Sequence, residues 1–158
     1  MRVVIDTNVF IHGMLSQHHD PVSQACRKIM KAVADEKIQL VVNPLTAQEL
    51  IYVFSMEAAK MPKLYRQSIR ALATFVAYAE HVEHATHLDR SWIHDVDDAM
   101  FIECAVDAAV SYIVSDDYSL KRFTKYNLEN GNLDALQFLN EHRIEIHDPE
   151  SLVANILH

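Results

Sequence analysis

Val3, Val4 and Ile5 run directly into Asp6, Thr7 and Asn8. Three β-branched residues that end on an acid, a hydroxyl and an amide read as a buried strand leading to a polar site. In an open parallel α/β sheet, ligands bind beyond the carboxyl ends of the strands, so Asp6 falls at the edge where chemistry is usually placed. Taken alone, Asp6 is equally well explained as the residue that closes an Asx-turn or caps a helix. Three more acids, placed where they can converge on it, favour the functional reading.

The strand-into-helix pattern repeats downstream. Val9-Phe10-Ile11 continues the opening apolar run into a loop, and Asp20-Pro21 then starts a helix carrying Val22, Cys26, Ile29, Met30 and Val33 at helical spacing. Lys37 to Asn43 is the second strand, and Asn43-Pro44 pairs a good N-cap with Pro at the first helical position. On the helix from Pro44, Leu45, Glu49, Tyr52, Val53 and Met56 share one face, which sets Glu49 inside an apolar stripe. An inward carboxylate implies a partner such as a cation. Pro62 opens a helix to about Ala79, with Tyr65, Ile69, Leu72 and Val76 on its core face and Lys63, Arg66 and Arg70 on a solvated face. Ala79 to His84 is a weak third strand. A zinc site wants a tight set joined by a Cys or a carboxylate, so His81, His84 and His87, spaced by three, read as surface histidines.

Asp95-Val96-Asp97-Asp98 opens a helix on which Asp98, Ile102, Ala105 and Ala109 share a face. Capping accounts for one or two of these acids but not for Asp98 on the core face. Ser111 to Val114 is the fourth strand, and it ends in a second acid cluster, Ser115-Asp116-Asp117. Lys121, Arg122 and Lys125 follow as the best local cations for holding a phosphate backbone. A helix from Leu133 to His142, a strand from Arg143 to His147 and a helix start at Asp148-Pro149 complete the chain.

Composition removes several function classes. With 158 residues, half of them hydrophobic, the chain suits a single domain spanning residues 1–158. Only two glycines occur, Gly13 and Gly131, so neither a P-loop nor a GxGxxG turn can be built. Cys26 and Cys104 lack metal-ligand spacing and read as reduced packing residues, no apolar run reaches membrane length, and Asp6 interrupts any signal-peptide core. A cytoplasmic protein with no membrane partner is expected. The net charge of −8 argues against a generally basic surface, so contact with nucleic acid must rest on a local site where a metal reverses the field.

Asp6, Glu49, Asp98 and Asp117 come from two strand ends and two helix starts, all of which face the carboxyl edge of a parallel sheet. Carboxylates brought together there repel unless a hard divalent cation neutralises them, and oxygen-only ligands favour Mg²⁺ or Mn²⁺ over zinc. Here the sequence resembles the PIN-domain ribonucleases, and particularly the VapC-like PIN-family toxins of toxin–antitoxin modules. Val3-Val4-Ile5-Asp6-Thr7-Asn8-Val9 resembles the family's opening strand and first acid, and Thr46-Ala47-Gln48-Glu49-Leu50 its second. Asp97-Asp98-Ala99-Met100 through Ala105 is similar to the third motif, and Val114-Ser115-Asp116-Asp117 through Leu120 to the Thr/Ser-Gly-Asp motif.

The resemblance implies a three-layer α/β/α sandwich around a parallel sheet of four or five strands. It further implies metal-dependent RNA cleavage, with Asp6, Glu49, Asp98 and Asp117 as catalytic and metal-holding residues, supported by Thr7, Asn8, Asp97, Ser115 and Asp116. The implied partners are an RNA substrate, a small antitoxin protein and a second copy of the chain. One departure is Asp116, which stands where the family commonly has Gly. A haloacid-dehalogenase-like phosphatase would need a second acid two residues after the first, where this chain has Asn8, and a receiver domain's set of acids and Lys is missing. The remaining alternative is a degenerate PIN module that binds RNA or protein without cleaving. Its hallmark would be a lost acid, and all four are present.

Overall fold

The computed structural model describes residues 1–157. Its sheet has five parallel strands, β1 (Arg2–Ile5), β2 (Gln39–Val42), β3 (Glu80–His81), β4 (Tyr112–Val114) and β5 (Glu145–His147), in the order β3-β2-β1-β4-β5. β1 is central, pairing with β2 on one side and β4 on the other. The chain winds outward through β2 and β3, then reverses across β1 to build β4 and β5. That reversal makes the gap between the ends of β1 and β4 a topological switch point, where such sheets bind ligands.

Alternation along the strands separates two cores. Val3 and Ile5 of β1, Leu40 and Val42 of β2 and Val114 of β4 pack with α1 (Thr7–Met14), α2 (Pro21–Ala34), α3 (Pro44–Ala59), α4 (Pro62–Tyr78) and α9 (Pro149–Asn155). Val4, Val41 and Ile113 pack on the other face with α5 (Ala99–Asp107), α6 (Tyr118–Lys121), α7 (Phe123–Glu129) and α8 (Leu133–Glu141). The layers are therefore α/β/α, set by the two-residue period of the strands.

The expected helix starts form as the cap chemistry requires. The Asp20 side chain accepts from the Ser23 amide at 3.0 Å ahead of Pro21. Asn43 forms a reciprocal box with Thr46, whose amide lies 2.8 Å from Asn43 Oδ1.

Four expectations need correction, the simplest being Tyr65, which is 43% exposed and lies off the core face that Ile69, Leu72 and Val76 give α4. Val9-Phe10-Ile11 is not loop but the middle of α1, which starts immediately after Asp6. Eight residues are too few for a helical period to stand out, and Val9 and Phe10 imitate a continued strand. The stripe Leu45–Glu49–Tyr52–Met56 is not the core face of α3, because Tyr52 is 66% and Met56 51% exposed, whereas Thr46, Leu50, Phe54 and Ala58 are buried. α3 is apolar nearly all round, so periodicity cannot choose its buried side. Finally, α5 stops at Asp107, and Ala109 sits in a left-handed turn at φ 51° rather than on the helix.

Candidate active site

β1 and β4 run side by side with Ile5 opposite Val114, so Asp6 and Ser115 leave the sheet together at its carboxyl edge. The Asp6 amide donates to the Val114 carbonyl at 3.0 Å and fixes that exit. Asp6 is only 4% exposed. Its Oδ2 accepts the Ser115 hydroxyl at 2.5 Å, and the same Ser115 oxygen accepts the Asp117 amide at 2.8 Å. One serine thus links both strand-end acids. Asp117 caps α6 by accepting from the Ser119 amide at 2.8 Å, and Ser119 Oγ accepts the Asp95 amide at 3.0 Å. This second link ties the 3₁₀ turn Val96–Asp98, which carries Asp98, to the end of β4. Glu49 reaches in from α3, where Thr7 Oγ1 donates to its Oε2.

Three of the four acids hold their protons well above the ordinary carboxylate range. Burial raises Asp6 from the ordinary 3.8 to about 6, assisted by the Asp117 charge, while the Ser115 hydroxyl and the Thr7 and Asn8 amides pull it down. Burial and then the Asp6 charge raise Glu49 to about 7. Asp98 goes furthest, to about 8, through burial, then the adjoining Asp117 carboxylate, then the charges of Asp6 and Asp95. Moreover, Asp98 Oδ2 is buried without a hydrogen-bond partner.

A buried acceptor that lacks a donor, beside carboxylates that resist ionising together, is the environment a hard cation relieves. The donors are oxygens throughout, as Mg²⁺ or Mn²⁺ prefers. The residues fit the cation.

Of the supporting residues, Thr7 and Ser115 orient Glu49 and Asp6 as described. Asn8 Oδ1 accepts the Asp116 amide at 3.3 Å, whereas the Asp116 side chain turns to Lys121, 2.9 Å away. Asp97 is exposed, and its amide is capped by Asp95. Arg122 lies over the Tyr118 ring with its carbon 4.7 Å from the centroid, and both Arg122 and Lys125 approach Glu129, at 3.8 and 3.9 Å. The three cations therefore each have an acidic neighbour. Sequence reasoning misses Ser119 and Asp95 as site residues. Their signal is the cap spacing Asp117-Tyr118-Ser119, which reads as local turn chemistry until the fold brings Asp95 to it. The exposed face of α3 and Met100 border a cleft of about 1110 Å³ with Glu49 on its wall.

The PIN domain family matches residues 2–119, three quarters of the chain and a stretch that includes all four acids. This chain belongs to the PIN-domain family. PIN domains are generally nucleases that depend on a divalent metal, and PIN nucleases bind RNA in general. The match ends at Ser119, so the cations of this PIN domain at 121, 122 and 125 lie just beyond it. No curated protein is similar enough to match the chain. Among the described residues, no helix is long and apolar enough to cross a membrane.

Proposed function

We propose that this PIN domain is a metal-dependent endoribonuclease that acts as the toxin of a toxin–antitoxin pair. The observation that carries the nuclease reading is the partnerless Asp98 Oδ2, on a carboxyl whose pKa is raised by burial and by the neighbouring Asp117 and Asp6 carboxylates. Asp6, Glu49, Asp98 and Asp117 would hold Mg²⁺ or Mn²⁺. A cation bound there polarises a phosphoryl oxygen and stabilises charge developing in phosphodiester cleavage. The chain's own contribution is positional. Ser115 holds Asp6 and the Asp117 loop, Thr7 holds Glu49, and Ser119 fixes the turn beneath Asp98. Lys121 and Lys125 lie on the two helices that follow Asp117 and Arg122 at the junction between them, where they can take the phosphates flanking the scissile one.

The toxin reading is supported by the family resemblance and by the apolar cleft beside Glu49, which a small antitoxin segment would cover. A second copy of the chain is the other partner this reading implies. The test is cleavage of single-stranded RNA by the purified protein with and without Mg²⁺ or Mn²⁺, alongside Asp6→Asn. Metal-dependent cleavage that is lost in the variant is expected, and RNA binding with no cleavage under any metal would replace the enzyme by a binding module. Growth arrest on production of the parent chain, relieved by the product of a small adjacent reading frame, tests the toxin role separately.

A further inference from the structure

The segment after β3 is fastened to the side of α5 by two carboxylates one turn apart. Asp107 accepts the Ala85 and Thr86 amides at 2.9 Å each and the Thr86 hydroxyl at 2.6 Å. Glu103, only 8% exposed, accepts the Leu88 amide through Oε1 at 3.0 Å. Its other oxygen, Oε2, lies 2.8 Å from His84 Nε2. The His87 ring stands edge-on to His84 with centroids 4.8 Å apart. One ligand atom from each of His84, His87 and Glu103 lies within 4.8 Å of the other two.

We propose that His84, His87 and Glu103 form a binding site for a zinc-class divalent ion, separate from the carboxylate centre. Two imidazoles and a carboxylate suit zinc, whereas Mg²⁺ prefers oxygens alone. Ligand distances of about 2.0–2.2 Å in a tetrahedron place donor atoms roughly 3.4 Å apart, so the ion replaces the 2.8 Å contact between His84 and Glu103, which opens slightly, while His87 closes in. His87 is exposed and free to swing in, while Glu103 is already oriented by the Leu88 amide, the kind of outer bond that aims a metal-binding carboxylate. Three protein ligands leave a fourth position open on the side where His87 meets solvent.

The two centres sit on different elements: Asp98 is in the 3₁₀ turn ahead of α5, and Glu103 is on α5 itself. Zinc at this site would staple the 84–88 segment to α5. The carboxylate that a zinc reading of His84 and His87 lacked in the sequence is supplied by a helix more than fifteen residues downstream.

Protein without a polyhistidine tag is titrated with zinc chloride in excess Mg²⁺, with Co²⁺ in parallel for its visible ligand-field bands. One equivalent of zinc is expected to bind and raise Tm, with imidazole-type Co²⁺ bands. His87→Ala, at an exposed position that does not threaten folding, should weaken binding roughly tenfold or more. Glu103→Gln, which keeps an oxygen for the Leu88 amide, should do the same. Asp98→Asn should leave zinc binding intact. Absence of a stoichiometric site, indifference to His87→Ala, or loss of the site in Asp98→Asn would each overturn the proposal.

Discussion

Asp116 and Asp117 are adjacent, yet their side chains do different things. Asp117 Oδ1 caps α6 while its carboxylate adjoins Asp98, and Asp116 is drawn off to Lys121. We expect Asp117→Asn to abolish nearly all RNA cleavage and Asp116→Asn to retain a large share of it. Asn keeps the size of Asp and can still accept the Ser119 amide, so both variants should melt near the parent. Paired rate and Mg²⁺-affinity measurements decide the point; a larger loss in Asp116→Asn would reverse the roles. Individual acids at strand ends were legible in the sequence because a β-branched run that stops on Asp is a strong local signal. The serine links were not, since Ser115 and Ser119 are unremarkable until residues more than twenty or a hundred positions away are packed against them.

At the scale of elements, α1 shows how tightly the strand end is braced. Gly13 lies against α2, and a Cβ built there would meet Met30 Cγ at 2.7 Å and the Cys26 carbonyl oxygen at 2.9 Å. The backbone oxygen cannot yield as a side chain can. Gly13→Ala should therefore cost about 1–3 kcal/mol despite the better helix propensity of Ala, read as a lower midpoint in urea unfolding. An unchanged midpoint would mean that α1 shifts freely on α2. Helices announced by Asp-Pro or Asn-Pro were legible from their caps, namely α2, α3 and α9. α1 was hidden by its short length and strand-like composition, and the buried side of α3 by apolar residues on every face. The short helices α6 and α7 matter for substrate. Neutralising Lys121, Arg122 and Lys125 together should weaken RNA binding and flatten its salt dependence, by roughly 0.7 in logarithmic slope for each phosphate that is no longer neutralised, with Mg²⁺ affinity retained. Unchanged affinity and slope would move the RNA path elsewhere, with Lys63, Arg66 and Arg70 on α4 as the next candidates.

For the whole molecule, the net charge of −8 and the acid centre together make stability depend on protons and metal in competition. Asp6, Glu49 and Asp98 hold their protons in the folded chain up to about 6, 7 and 8, while the unfolded chain releases them near 3.8 to 4.5. Between those limits the folded state binds more protons, so this contribution is fully present below the unfolded values and is lost as pH rises through the folded ones. Asp20, Asp35, Glu80, Asp89 and Asp107 are held low by their hydrogen bonds or ion pairs and act in the opposite direction, but only in acid. The window from pH 6 to 8 is therefore where the acid centre can be read. Mg²⁺ should raise Tm, because a cation that binds the folded state alone stabilises it. The gain should be larger at pH 8 than at pH 6, since metal and protons compete for the same oxygens. The comparison is parent against Asp98→Asn, in which the partnerless oxygen and one charge of the centre are changed. The variant should show a smaller Mg²⁺ gain and less growth of that gain with pH. Equal gains at both pH values in the parent, or an identical profile in the variant, would mean that Mg²⁺ acts on the general acidity of the surface and not at the end of β1.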